Sequence, residues 1–157
     1  VLDTNVLVSA FTARGLCADL LQALLADHVP VVSVTVLAEL ENVLRAKFRH
    51  SAQGAAERAG FLRQYCELAT AARPRPIHGI DATDRKVIAE ALAASADALV
   101  TGDQEMLQLQ AVDGMPILSP RQLWEHCADP GKDDGVEIAI RAGLRKAART
   151  TWSFARR

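Results

Sequence analysis

The feature that most constrains this chain is a recurrence. Short, mainly apolar runs are each followed by a helical pattern. Val1-Leu2, Val31-Val32-Ser33, Ala98 to Thr101 and Pro116 to Leu118 lack the polar alternation of a half-solvated strand, which suits strands covered on both faces. Between them, apolar residues recur at helical spacing, as in Leu16, Leu20, Leu21, Leu24 and Leu25, or Val36, Leu40, Val43 and Leu44. Helices are expected over 4–11, 16–28, 35–48, 51–72, 84–95 and 104–109, with a last one through 126 that Ser119 caps and Pro120 opens. Pro74 and Pro76 bracket an expected edge strand reaching Ile77. Strands alternating with helices imply an α/β layered fold around a parallel sheet.

The chain of 157 residues fits one domain, and half its residues are hydrophobic, enough for a core. A formal net charge of −1 argues against a protein that coats nucleic acid, but leaves room for an enzyme with an acidic centre and a basic rim. No apolar run approaches the roughly 20 residues of a membrane helix, and no signal peptide is visible, so a cytoplasmic protein away from membranes is expected. The chain starts inside a strand-like segment, as though a Met and a residue or two preceded it. Cys17, Cys66 and Cys127 are odd in number, far apart and set among apolar residues; they read as small buried hydrophobes in a reducing compartment. From Lys132 to Arg157, seven Lys or Arg stand against three Asp or Glu. We therefore divide the chain into a domain over 1–128 and a basic appendage over 129–157. The appendage reads as an amphipathic helix that packs on its own domain, docks a partner subunit or contacts RNA.

In an open parallel α/β sheet the binding crevice lies beyond the carboxyl ends of the strands. Asp3 and Asp103 stand just past such ends, Asp84 stands at a helix start, and Glu39 lies about one turn into the helix after Val31-Val32-Ser33. Taken singly, each Asp reads as a helix cap. Glu39 is less easily dismissed: it shares a stripe with Val36 and Val43 and has no Lys or Arg at i±3 or i±4. Together the four can converge on one edge, where carboxylates repel and raise one another's pKa unless a cation intervenes. Oxygen donors without His or Cys favour Mg²⁺ or Mn²⁺, and such a cluster suits phosphodiester hydrolysis. Asp81 is a lesser candidate, as an outer ligand to metal or water. Arg14, Arg45, Lys47, Arg49, Arg85 and Lys86 are candidate phosphate contacts flanking the acids, each equally readable as a solvated surface charge.

At these residues the sequence resembles the PIN-domain family. VLDTNVLVSA, SVTVLAELENVL and DRKVIAEALAASADALVTGD resemble its motifs, with Asp3, Glu39, Asp84 and Asp103 as the acids, from Val1 to about His126. The long interval from Glu39 to Asp84, with RAKF between, resembles the toxin components of toxin–antitoxin systems, relatives of the VapC-type toxins. The resemblance implies a three-layer α/β/α sandwich with a twisted, mainly parallel sheet of about five strands. It also implies an Mg²⁺- or Mn²⁺-dependent endoribonuclease that leaves 5′-phosphate and 3′-hydroxyl ends, forms a homodimer or higher oligomer, and is controlled by a protein antitoxin. By the same match Asn5, Thr101 and Ser33 would hydrogen-bond the acids or water. Two other readings stand beside it. One is a catalytically silent PIN-fold module that binds RNA or protein. The other is a phosphatase with Asp3 as covalent nucleophile, against which Asn5 counts, because such enzymes need a second Asp there.

Overall fold

The N-terminal strand segment is the seam of the molecule. In the computed structural model, which describes residues 1–70 and 72–128, Val1–Asp3 runs between two small sheets. The Leu2 N–H donates to the Val31 carbonyl at 3.1 Å on one side. On the other, Val100 N–H donates to Val1 at 2.8 Å and Asp3 N–H donates to Val100 at 2.9 Å, in a parallel bridge.

Beyond this seam, β1 (Val31–Ser33) pairs in parallel with β2 (Glu67–Ala69). β3 (Leu99–Val100) pairs in parallel with β5 (Met115–Leu118), which in turn pairs antiparallel with β4 (Ala111–Val112). The mixed α/β class is as the sequence implies. The strands pair in groups of two and three, and the seam hydrogen-bonds to one strand of each group, β1 and β3.

Around these strands lie α1 (Thr4–Thr12), α2 (Leu16–Asp27), α3 (Val34–Ala46), α4 (Ala52–Tyr65), α5 (Ala82–Ala93), α6 (Gln104–Gln108) and α7 (Pro120–Ala128). Helices α3 and α5 pack on β1 and on each other, α6 and α7 pack on β5, and α1 and α4 flank α3. The core gathers Leu7 and Leu20 from the first two helices, Val36, Leu37, Leu40 and Leu44 from α3, Ile88 from α5, and Leu99 and Met106. All are buried. Helices α1 and α2 meet at a bend of 104°, and among the described residues no single helix is long and apolar enough to cross a membrane.

Local chemistry sets the helix starts. Ser33 Oγ accepts the Val36 N–H at 3.2 Å, and Ser51 Oγ accepts the Gly54 N–H at 3.0 Å. Ser119 and Gln122 cap reciprocally: Gln122 N–H donates to Ser119 Oγ at 3.2 Å, and Ser119 N–H donates to Gln122 Oε1 at 2.8 Å.

Two expectations need correction, and one element lies outside them. The helix expected over 51–72 ends at Tyr65, because Glu67–Ala69 leaves it to pair with β1. The strand expected at Pro74–Ile77 is an irregular segment, and β2 takes its place. The hairpin joining β4 to β5 was not anticipated; Asp113 and Gly114, at φ 48° and 86°, form the tight turn that Asp-Gly favours. The appendage over 129–157 lies outside the described residues.

Candidate active site

Each candidate acid is placed by a local rule before it can do any chemistry. Asp3 ends the seam strand and caps α1, with Oδ1 accepting the Thr4 N–H at 2.7 Å. Its Oδ2 accepts two further donors, Asn5 Nδ2 at 2.8 Å and the Thr101 hydroxyl at 2.6 Å. The residue is only 5% exposed. Burial pushes its carboxyl above the ordinary value, opposed by the Thr101 and Thr4 hydrogen bonds and reinforced by the charges of Glu39 and Asp103.

Thr101 is the hub of this corner. Its wholly buried hydroxyl donates to Asp3 and accepts from Asn5 Nδ2 at 3.1 Å and from the Asp103 N–H at 3.0 Å. Asn5 closes the loop, its Oδ1 accepting the Gly102 N–H at 2.8 Å. A Cβ at Gly102 would lie 3.3 Å from that oxygen, so a small residue suits the close approach.

Glu39 reaches the same corner from α3. Its Oε2 accepts the Thr4 hydroxyl at 2.7 Å. Among the described residues, the partner that its half-buried position calls for is therefore a hydroxyl and not a cation. Asp103 caps α6, with Oδ1 accepting the Glu105 N–H at 2.8 Å and the Met106 N–H at 3.0 Å. That leaves its second oxygen without a hydrogen bond among the described residues.

Asp84 differs from the rest. It lies in the first turn of α5 but does not cap it; Asp81 does, accepting the Thr83 N–H at 2.7 Å and the Asp84 N–H at 2.8 Å. The Asp84 carboxylate accepts no hydrogen bond among the described residues. Its pKa is pushed up to about 6, first by burial, then by the charges of Asp81, Asp3, Asp103 and Glu39. Acids from four separate stretches of sequence thus share one electrostatic environment. No Lys or Arg pairs with any of them among the described residues; the ion pairs there join Arg63 to Glu41, Arg75 to Asp113 and Arg121 to Glu125.

A family model described as PIN domain matches residues 1–105, an interval that holds all four acids. The chain belongs to the PIN-domain family. PIN domains are generally nucleases, and many work on RNA with divalent metal ions. No curated protein matches the chain.

The donor set of this PIN domain fits a hard divalent cation in chemistry: carboxylate oxygens, mutual repulsion and, among the described residues, no competing basic partner. Among the described residues, however, no three His, Cys, Asp or Glu side chains are already drawn together tightly enough to enclose a metal ion.

The remaining candidates divide. Ser33 is buried, but its hydroxyl caps α3 and bonds none of the four acids. Arg14, Arg45, Lys47, Arg49 and Lys86 are exposed and form no ion pair among the described residues. Arg85 is half-buried and donates to the Ile80 carbonyl at 2.6 Å, so its guanidinium is committed to the loop before α5. The three cysteines are free and half-buried, and Cys127 Sγ lies 3.9 Å from His28 Nε2.

Two residues escaped the sequence reading. Thr4 links Asp3 to Glu39, and only the fold brings its hydroxyl to α3. Glu90 is 2% exposed and bonds Thr35. The signal for Glu90 was available: it falls three residues after Val87, on the inward stripe of α5.

Proposed function

We propose that this PIN domain is an Mg²⁺- or Mn²⁺-dependent endoribonuclease, the toxin of a toxin–antitoxin pair. The observation that carries the reading is Asp84. Its carboxyl is raised first by burial and then by four neighbouring acids, and among the described residues no cation or hydrogen-bond donor relieves it. A cluster that repels itself in this way is poorly explained as structural support. In this reading the two small sheets and the Val1–Asp3 seam together form the layered sheet of a PIN sandwich.

Asp3, Glu39, Asp84 and Asp103 would hold one or two ions, with Asp81 as an outer ligand. A bound ion supplies an acidified water and neutralises charge on the phosphate. The chain's own residues do the rest. Asn5 and Thr101 hold the Asp3 carboxylate in one rotamer, and Thr4 does the same for Glu39. Arg14, Arg45, Lys47, Arg49 and Lys86 offer cations for the RNA backbone at the rim of the acidic centre. Arg85, held by Ile80, orders the loop that leads to Asp84. A cytoplasmic setting, a protein antitoxin and a homodimer or higher oligomer belong to the same reading.

The test is cleavage of RNA by wild type and Asp3→Asn with Mn²⁺ or Mg²⁺. Cleavage by wild type and its loss in Asp3→Asn are expected; equal rates in a clean preparation end the assignment. One observation favours a second reading, a non-catalytic module for RNA or protein: the absence, among the described residues, of a closed ligand set. Calorimetry separates the two, because such a module binds no Mn²⁺ in the wild type.

A further inference from the structure

Glu90 has no part in the chemistry above, yet it is among the most deeply buried charged groups of the described residues, at 2% exposure. It forms no ion pair there. Both its oxygens turn to one residue. Oε1 accepts the Thr35 hydroxyl at 2.7 Å, and Oε2 accepts the Thr35 backbone N–H at 3.3 Å. Thr35 lies in the first turn of α3, where amides lack carbonyl partners within the helix and negative charge is favoured. Ser33 already caps the Val36 N–H. Glu90 is therefore a second cap on α3, delivered from another helix.

These are the only side-chain hydrogen bonds between α3 and α5 among the described residues. Both helices carry a candidate acid. Glu39 is four residues beyond Thr35 and so on the same face of α3; Asp84 is six residues before Glu90 on α5. Apolar packing between two helices tolerates sliding and rotation. A bidentate contact between one carboxylate and the end of the neighbouring helix does not, because hydrogen bonds are directional. A buried carboxylate is also a costly way to hold two helices together if packing alone would serve.

We infer that Glu90, acting through Thr35, is a positioning residue for the acidic centre: it fixes α3 against α5, and so sets how Glu39 and Asp84 meet a divalent ion. The inference rests on the metal-dependent reading above.

The experiment measures Mn²⁺ binding to the full chain by calorimetry, with thermal melting alongside, for wild type, Thr35→Ser, Thr35→Val and the double variant Thr35→Val/Glu90→Leu. Thr35→Ser keeps the hydroxyl and binds Mn²⁺ as wild type does. Thr35→Val weakens binding about tenfold, the scale of a lost supporting contact at a metal site. The double variant removes the hydroxyl and the carboxylate together and leaves only the half-exposed N–H of residue 35 without its acceptor; it regains melting temperature over Thr35→Val because no under-satisfied carboxylate remains buried. Its Mn²⁺ affinity stays low. A double variant that binds Mn²⁺ like wild type overturns the positioning role, since a merely structural contact restores affinity along with stability. Wild type that binds no Mn²⁺ overturns the functional reading, and this inference with it. Should Thr35→Val not fold, the double variant decides alone.

Discussion

Replacing Asp84 with Asn should make the metal-free protein more stable. The Asp84 carboxylate accepts no hydrogen bond among the described residues, so the amide forfeits none. What it removes is a charge raised from 3.8 to about 6 by burial and by Asp81, Asp3, Asp103 and Glu39. Two pKa units correspond to roughly 3 kcal/mol at neutral pH. The side chain is half-buried, and solvent screening reduces that to about 1.5 kcal/mol. The carboxylate's favourable place at the N-terminus of α5 gives back about 0.5 kcal/mol. A net gain of about 1 kcal/mol remains, or about 3–5 °C in Tm for a domain of this size.

The pH dependence follows from the direction of the shift. A carboxyl raised on folding leaves the native state at full stability below the unfolded value of 3.8, and takes stability away as pH rises through about 6. The advantage of Asp84→Asn is therefore present at pH 7.5 and absent near pH 4. The assay is thermal melting in EDTA at both pH values. With Mn²⁺ at about 100 times its Kd the order reverses, because wild type gains about 2.7 kcal/mol from binding and the variant gains less. An Asp84→Asn protein that melts at or below wild type in EDTA at pH 7.5, or a difference unchanged at pH 4, refutes the repulsion argument.

Other outcomes follow from the same geometry. Thr101→Val strips Asp3 of one donor and leaves the Asp103 N–H without its acceptor, so urea unfolding should show a loss of about 2 kcal/mol. Mn²⁺ affinity of the free protein should fall as pH drops from 7.5 to 5, most steeply near 6, because raised Asp84 and Asp3 must ionise to hold a cation; a calorimetric series flat above pH 4.5 would contradict this. Asp103→Asn should keep its capping oxygen, hold its melting temperature within about 2 °C, and lose RNA cleavage by about a hundredfold or more in a single-turnover assay.

The parts of this molecule legible in the sequence are those decided locally. Apolar runs ending in Asp3 and Asp103, and the amphipathic stripe holding Glu39, place three acids without any knowledge of pairing. The order of strands and helices follows from the same patterns. Most of the misses have non-local causes. Glu67-Leu68-Ala69 is helix-forming in composition, and only its parallel partner β1 holds it extended, with Ala69 alone of the three buried. Asp84 has the place of a cap, but Asp81 fills that role, which leaves the Asp84 carboxylate unbonded among the described residues and subject to the charges of the other acids. Thr4 was read as the first residue of a helix, because nothing in DTN reports that α3 will cross beside it. The Asp113-Gly114 turn was a missed local signal, since that dipeptide between short apolar runs is a hairpin mark.

Diffraction from crystals soaked in Mn²⁺, read at the manganese absorption edge, would look at the acids themselves. The account predicts an anomalous peak bounded by carboxylate oxygens of Asp3, Asp84 and Asp103, with Glu39 at its margin. No peak at that corner in a preparation that still cuts RNA, or a peak held by other residues, would contradict it.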